Sequence, residues 1–266
     1  MRKIDKKNNR LVYFINKATN DYWDSHWGDF TVDKIKEENI NNNFCVKHTK
    51  NYLPTGSKIL EGGCGKANNV YALQEYGYDC IGVDFAEKTV ARINELVPEL
   101  NVVKGDVFKL DIKDNSLDGY WSLGVIEHFW DGYDGIATEM SRTIKKDGYL
   151  FLTVPTMSNL RKVKAKLGFF PKLHDKEDLE SFYQFALDPN SITKNFEKLG
   201  FQLENKFFFD ASKGIRDEIS ILRPVFNLLK SGKIPKSWFI LNIIEKLFAS
   251  QTGHCVCLIL KNKKEK

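Results

Sequence analysis

The stretch Lys58-Ile-Leu-Glu-Gly-Gly-Cys-Gly65, with Cys80-Ile-Gly-Val-Asp84 after it, decides the fold. Each is a short apolar run closed by an acid, Glu61 in the first and Asp84 in the second, and each reads as a strand. Between them Ala67 to Tyr76 places Val70, Leu73 and Gln74 at helical spacing. The glycine-rich turn lets the backbone approach a ligand closely. The helix behind it offers that ligand its free N–H groups and the positive end of its dipole.

The alternation continues outward. Glu87 to Leu96 reads as a helix stopped by Pro98, Asn101–Asp106 as a strand, Asp118–Gly124 as another, Asp134–Ile144 as a helix and Tyr149–Pro155 as a fifth strand. After a pause of about thirty residues, Ser191–Leu199 reads as a helix ended by Gly200, Phe201–Asp210 as a sixth strand and His254–Leu260 as a seventh. Strands alternating with helices imply β-α-β units, so the fold class is α/β: a three-layer sandwich around a mostly parallel sheet. Upstream, Asn8 to Leu53 reads as helical and polar, with aromatics at Tyr13, Phe14, Tyr22, Trp23, Trp27 and Phe30. The expected organisation is a helical lid over residues 1–53 and a main domain over 54–266, with helical insertions at 156–188 and 211–252.

In an open parallel sheet, ligands lie at the carboxyl ends of the strands. Glu61, Asp84 and Asp106 all fall there, and an acid 19 residues beyond Gly65 is placed to accept the hydroxyls of a ribose. A cofactor containing a nucleoside follows. The dinucleotide fingerprint lacks its third glycine, because Lys66-Ala67-Asn68 follows Gly65, and no Gly-Lys-Ser/Thr is present in this turn for a triphosphate.

These residues carry a family resemblance. Ile59-Leu-Glu-Gly-Gly-Cys-Gly65 resembles motif I of the class I S-adenosylmethionine-dependent methyltransferases, in the branch sharing the "methyltransferase type 11" pattern. Val83-Asp84, Gly105-Asp106-Val107, Ser122-Leu-Gly-Val-Ile-Glu-His128 and Ile144-Lys-Lys-Asp-Gly-Tyr-Leu150 resemble the later motifs in order. The resemblance covers Lys58 to Pro155. It implies a Rossmann-like seven-stranded sheet with the last strand antiparallel, and S-adenosyl-L-methionine as cofactor. By the same resemblance Glu61, Gly62, Gly63 and Gly65 wrap the methionine part, Asp84 with Phe85 holds the ribose, Asp106 and Val107 sit by the adenine, and Leu123 and Gly124 line the floor. The departures are Ala67 for a third glycine and Lys146-Asp147-Gly148 for the usual Pro-Gly-Gly turn. Structural alternatives stand beside these roles: Glu61 as a cap of the turn, Asp106 as the start of one.

Methyl transfer is an in-line displacement in which positioning does much of the work, and a base is needed only if the acceptor must lose a proton. His128 is the candidate base, with packing under the cofactor as the alternative. Asp21-Tyr-Trp-Asp-Ser-His-Trp27 reads as a lid, with Trp23 as a contact to the cofactor's sulfonium, or as helix-to-core packing. No metal site is expected. Cys255 and Cys257 share a strand face with no second pair to complete a zinc site, so the five cysteines read as reduced thiols of a cytoplasmic protein.

The net charge of +5 sits on the ends, which read as solvated tails: residues 1–10 carry net +4 and 261–266 net +3, leaving −2 between them. That distribution argues against a nucleic-acid partner. The insertions hold the internal cations, Arg161 to Lys172 and Arg216 to Lys236, interleaved with apolar residues. They read as helical caps, or as a greasy, basic-rimmed surface for a lipid-linked or anionic acceptor and peripheral membrane contact. Trp238–Phe248 is too short and too polar to span a bilayer, and no leader sequence is visible. The expected function is methyl transfer to a small-molecule, sugar or lipid-type acceptor. The alternatives are a non-catalytic cofactor-binding subunit and a nicotinamide-dependent oxidoreductase.

Overall fold

The computed structural model describes residues 1–36, 39–174, 177 and 179–264, and among these residues are ten strands and eleven α-helices. In chain order the first are β1 (Arg2–Asp5), β2 (Arg10–Phe14), α1 (Asn20–Trp27), α2 (Val32–Lys36) and α3 (Phe44–Thr49). The central units are β3 (Lys58–Gly62), α4 (Asn68–Glu75), β4 (Asp79–Asp84), α5 (Glu87–Leu96), β5 (Val102–Lys104), β6 (Leu117–Leu123), α6 (Asp134–Thr143) and β7 (Ile144–Pro155). Then follow α7 (Asn159–Lys166), β8 (Phe182–Ala186), α8 (Pro189–Lys198), β9 (Phe201–Phe209), α9 (Ala211–Glu218), α10 (Arg223–Lys230), α11 (Ser237–Thr252) and β10 (Cys255–Asn262).

Seven strands form one sheet in the order β5-β4-β3-β6-β7-β10-β9. The first five are parallel, and β10 runs antiparallel to both its neighbours, β7 and β9. Two-residue periodicity sends alternate side chains to opposite faces. Ile59, Trp121, Phe151, Cys257 and Ile259 enter one core with α3, α4 and α5, while Leu60, Tyr120, Leu150, Leu152 and Leu258 enter the other with α6 and α8. A sheet covered by helices on both sides needs strands that are apolar throughout, which is why these runs were conspicuous.

The N-terminal segment differs from the expected helical, solvated tail. Helices α1, α2 and α3 are present, but residues 2–14 form the hairpin β1–β2, and β2 pairs antiparallel with β8 to make a three-stranded sheet. The first insertion is therefore not helical alone: α7 is followed by a strand. Leu11, Val12 and Phe14 are buried against it. Of the basic residues of this end, Lys3 meets Glu177 at 2.6 Å, Arg10 meets Asp5 at 2.9 Å, and the Arg10 guanidinium lies 3.7 Å from the Phe185 ring centroid. At the other end Lys261 and Lys263 both pair with Asp147, at 3.2 and 3.1 Å.

A buried ionic cluster ties the hairpin to both insertions. The Glu218 carboxylate accepts from Arg161 Nε at 2.9 Å, from Lys164 Nζ at 3.0 Å and from Arg2. Arg161, 1% exposed, also donates to the Thr156 carbonyl at 2.7 Å and to His254 Nδ1 at 2.9 Å, so all three of its nitrogens donate. Burial alone would raise the Glu218 pKa, but the charges of Arg161 and Arg2, with the hydrogen bonds, outweigh it and hold the pKa below the ordinary value. Burial and the surrounding cations push His254 down to about 2, so it stays neutral and accepts.

Candidate functional site

The turn after β3 is built on left-handed backbone. Gly63 has φ of +74° and Gly65 of +52°, conformations open to glycine. A Cβ on Gly65 would stand 2.6 Å from the Trp27 indole, and one on Gly63 would stand 2.6 Å from a Val125 methyl, so both glycines also allow close approach. Ala67, at the cap of α4, has φ of +61°. The missing third glycine therefore leaves a strained alanine, at a cost of about 1–2 kcal/mol. Ala67→Gly should raise the melting temperature by about 2–4 °C per kcal/mol recovered, measured by calorimetry.

Asp84 closes β4 and is 5% exposed. One carboxylate oxygen accepts from Gly65 N–H at 2.8 Å and the other from Ala86 N–H at 2.9 Å, so the acid clamps the glycine turn to the start of α5. Each oxygen keeps a second lone pair for a ligand hydroxyl. Burial raises the Asp84 pKa, the backbone hydrogen bonds oppose this, and the charge of Asp24 adds to the rise. Glu61, 2% exposed, accepts from Asn69 Nδ2 at 2.8 Å, and Asn69 accepts in turn from Asn43 at 3.0 Å. Asp106 accepts from Phe108 N–H at 2.9 Å and remains exposed at the rim.

These groups open into a cavity of about 850 Å³ at the carboxyl ends of β3, β4 and β6. Glu61, Gly63, Gly65, Asp84, Phe85, Asp106, Val107, Leu123, Gly124, Trp23 and His128 all line it. Gly62 does not: it packs beneath, where a Cβ would collide with the Tyr120 hydroxyl, so its role is to admit that side chain to the core. Trp27, Asn68, Asn69, Lys66 and Phe129 also line the cavity. Of these only Trp27 was flagged by the aromatic pattern. Asn69 lies one residue into α4, where a polar side chain can turn back toward the strand end.

Helix α1 forms the roof. It has no buried residue, and it is pinned at Asp24, whose carboxylate accepts from the Thr89 N–H at 3.0 Å and the Thr89 hydroxyl at 2.9 Å. Trp23 stacks on Trp27 at 5.9 Å between centroids and meets His128 edge-on at 5.1 Å. A helix with so few buried contacts opens at low cost. Asp24→Ala removes a cap worth about 1 kcal/mol, and hydrogen exchange over residues 20–27 should accelerate while the sheet is unaffected.

His128 Nδ1 lies 2.7 Å from the Tyr183 carbonyl, which can only accept, so the proton sits on Nδ1 and Nε2 carries a lone pair. Burial lowers its pKa to about 4, against the opposing hydrogen bond to Tyr183. The neighbouring Glu127, 2% exposed, is raised by burial to about 8 and is protonated at neutral pH. Among the described residues no group of three or more His, Cys, Asp or Glu is placed to hold a metal ion.

A glycine-turned strand end, two buried acids and an aromatic roof meet at one cavity on a Rossmann-like sheet. The family model described as "Methyltransferase domain" matches residues 60–152. A probable S-adenosylmethionine-dependent methyltransferase of Mycolicibacterium smegmatis is 25% identical over 180 residues, 67% of this chain and 65% of that protein. The chain thus spans slightly less than two thirds of that relative's length. In fold it agrees with an S-adenosylmethionine-dependent methyltransferase of Archaeoglobus fulgidus (TM-score 0.55, 20% identity, 82% and 91% of the two chains). It agrees likewise with a structure of a Haloferax volcanii putative methyltransferase in complex with the Trm112 activator (TM-score 0.59, 14% identity, 94% and 99%). Residues 60–152 thus match a methyltransferase-domain family, and the chain is similar to proteins named S-adenosylmethionine-dependent methyltransferases.

Proposed function

We propose that the protein transfers a methyl group from S-adenosylmethionine to a small-molecule, sugar or lipid-type acceptor. The observation that carries this reading is the convergence of Glu61, Asp84, Asp106 and the glycine turn on one cavity of about 850 Å³. The donor set suits the cofactor: carboxylates with spare lone pairs for ribose hydroxyls and an ammonium, open backbone at Gly63 and Gly65, and an apolar wall at Val107 and Leu123. When bound, S-adenosylmethionine supplies a methyl group on a sulfonium.

The chain's own residues then have these roles. Asp84 holds the ribose, Glu61 and the glycine turn hold the methionine part, and Asp106 with Val107 borders the adenine. Trp23 and Trp27 on α1 close over the site as a lid and exclude water, and the Trp27 ring already meets a cation, Lys66 Nζ at 5.6 Å. His128 accepts the acceptor's proton at Nε2 where the acceptor must lose one. Five free cysteines, four of them buried, fit a reducing, cytoplasmic setting.

Calorimetry with S-adenosylmethionine tests the cofactor. Incubating cell extract with labelled S-adenosylmethionine and the protein tests the acceptor. Label should enter the small-molecule, sugar or lipid pool. Label in nucleic acid, or binding without labelled product in any pool, overturns the reading, and the second outcome leaves a cofactor-binding subunit.

A further inference from the structure

Helix α11 is apolar along most of its length, yet only Ser237 of its sixteen residues is buried. Trp238, Phe239, Leu247 and Phe248 are 64, 56, 65 and 45% exposed. The helix packs on α7, α9 and α10, and its neighbours extend the same character: Ile221 is 83% exposed before α10, and Leu167 and Phe169 are 69 and 65% exposed after α7. Exposed apolar side chains on adjoining elements at this density mark an interaction surface.

The charge around them is mostly positive. Residues 219–244 contain Arg223, Lys230, Lys233 and Lys236 and no acid, with Glu245 of α11 following them; of the cations in residues 159–172, Arg161, Lys162 and Lys164 are paired with Glu218 and Asp188, and Lys166 and Lys172 are exposed. The four cations of the first stretch are exposed and form no ion pair among the described residues. A second copy of the chain would bring like charges together across such a face, which disfavours self-association. A bilayer with anionic lipids offers apolar depth and negative charge in one surface, matching both features at once.

Placement points the same way. β7 and β9 both run antiparallel to β10, so β9 is parallel to β3 and β6. Helices α9–α11 leave the carboxyl end of β9, and α7 leaves that of β7, so both start at the same end of the strands as the cavity. At 1.5 Å per residue α11 is about 24 Å long. No described helix is long and apolar enough to cross a membrane, so α11 would lie in the interface.

We propose that α10, α11 and the turn after α7 dock the protein on an anionic bilayer surface, with the cavity end of the strands toward the membrane. This goes beyond methyl transfer and holds equally for a cofactor-binding subunit.

Flotation of the full chain tests it, with vesicles of phosphatidylcholine alone and of phosphatidylcholine mixed with phosphatidylglycerol. The chain should float with the mixed vesicles, at least about tenfold more than with phosphatidylcholine alone, and high salt should release it. Each cation near the surface contributes about fivefold in binding, so Arg223→Glu with Lys233→Glu should weaken flotation more than about twentyfold. Trp238→Ser with Leu247→Ser should also abolish it. S-adenosylmethionine affinity, measured on every variant, should be unchanged and reports an intact fold. If one variant misfolds, the other decides. No flotation with mixed vesicles, or equal flotation of wild type and folded variants, overturns the proposal. So does a two-chain mass by light scattering that falls to one chain in the Trp238 and Leu247 variant without flotation, which would assign the face to a second copy. Flotation without S-adenosylmethionine binding would overturn the proposed function and leave the docking surface standing.

Discussion

Replacing Asp84 by alanine should weaken S-adenosylmethionine binding by at least about 100-fold. Two losses combine. The ribose loses its acceptor, and the N–H groups of Gly65 and Ala86, held at 2.8 and 2.9 Å, lose theirs. An orphaned buried N–H costs about 1–3 kcal/mol, and about 2.7 kcal/mol is already 100-fold in affinity. Part of the cost falls on the free protein, because the same carboxylate organises the glycine turn before any ligand arrives. Thermal unfolding should therefore show a lowered midpoint, with the cooperative transition kept. Asp84→Asn should fall between, since its amide oxygen can serve one N–H while its amino group faces the other. Calorimetric titration of the three proteins checks the order. A dissociation constant for Asp84→Ala within about threefold of wild type would sink the assignment.

The parts of this fold that were legible share one physical property. β3, β4, β6, β7 and β10 are buried on both faces over most of their length, so each carries a short, largely apolar run, and those of β3, β4 and β7 stop at a glycine, an acid or a proline. The acids at their ends were legible for the same reason: Glu61 and Asp84 stand where an apolar run stops. The hairpin β1–β2 had no such signature. Each strand is four or five residues long, three of the four residues of β1 are charged, and the partner β8 lies about 170 residues away, inside what reads as an insertion. A pairing of that separation leaves no local pattern. Phe182-Tyr-Gln-Phe185 was visible as an aromatic cluster but not as the strand that receives Leu11 and Val12.

The site divides along the same line. Gly63, Gly65 and Asp84 were legible because the chemistry of a turn and a strand end fixes their types. Asn69 was not, because its role depends on Glu61 on one side and Asn43 on the other, and neither neighbour is local. The charge reading was incomplete in a similar way. Arg2 belongs by sequence to a basic end, yet it completes a cluster with Glu218 and Arg161 that no window of the sequence contains. Hairpin, α7 and α9 are thereby locked together. Removing one partner of such a buried ionic group would leave the others uncompensated.

His128→Asn should lower the rate of methyl transfer about 100- to 10,000-fold while leaving S-adenosylmethionine affinity within a few-fold of wild type. Asparagine can keep the donation to the Tyr183 carbonyl that Nδ1 makes at 2.7 Å, and it removes only the Nε2 lone pair. The substitution thus separates a base from a positioning group, since a merely structural histidine would be rescued by it. The pH profile gives an independent readout. Burial holds the folded pKa at about 4, below the ordinary value near 6.5, so the imidazole is neutral and competent as a base throughout the neutral range. The wild-type rate should be flat down to about pH 5 and fall tenfold per unit below about 4. The same shift favours the folded state above pH 6.5, and that contribution is lost as pH falls through the folded pKa, because the unfolded chain takes up the proton first. The acid limb of activity must therefore be measured beside thermal unfolding at each pH. An activity loss centred near pH 6.5 with the protein still folded would mean that His128 titrates as an exposed histidine. An unchanged rate in His128→Asn would mean that the acceptor reacts without losing a proton to this residue.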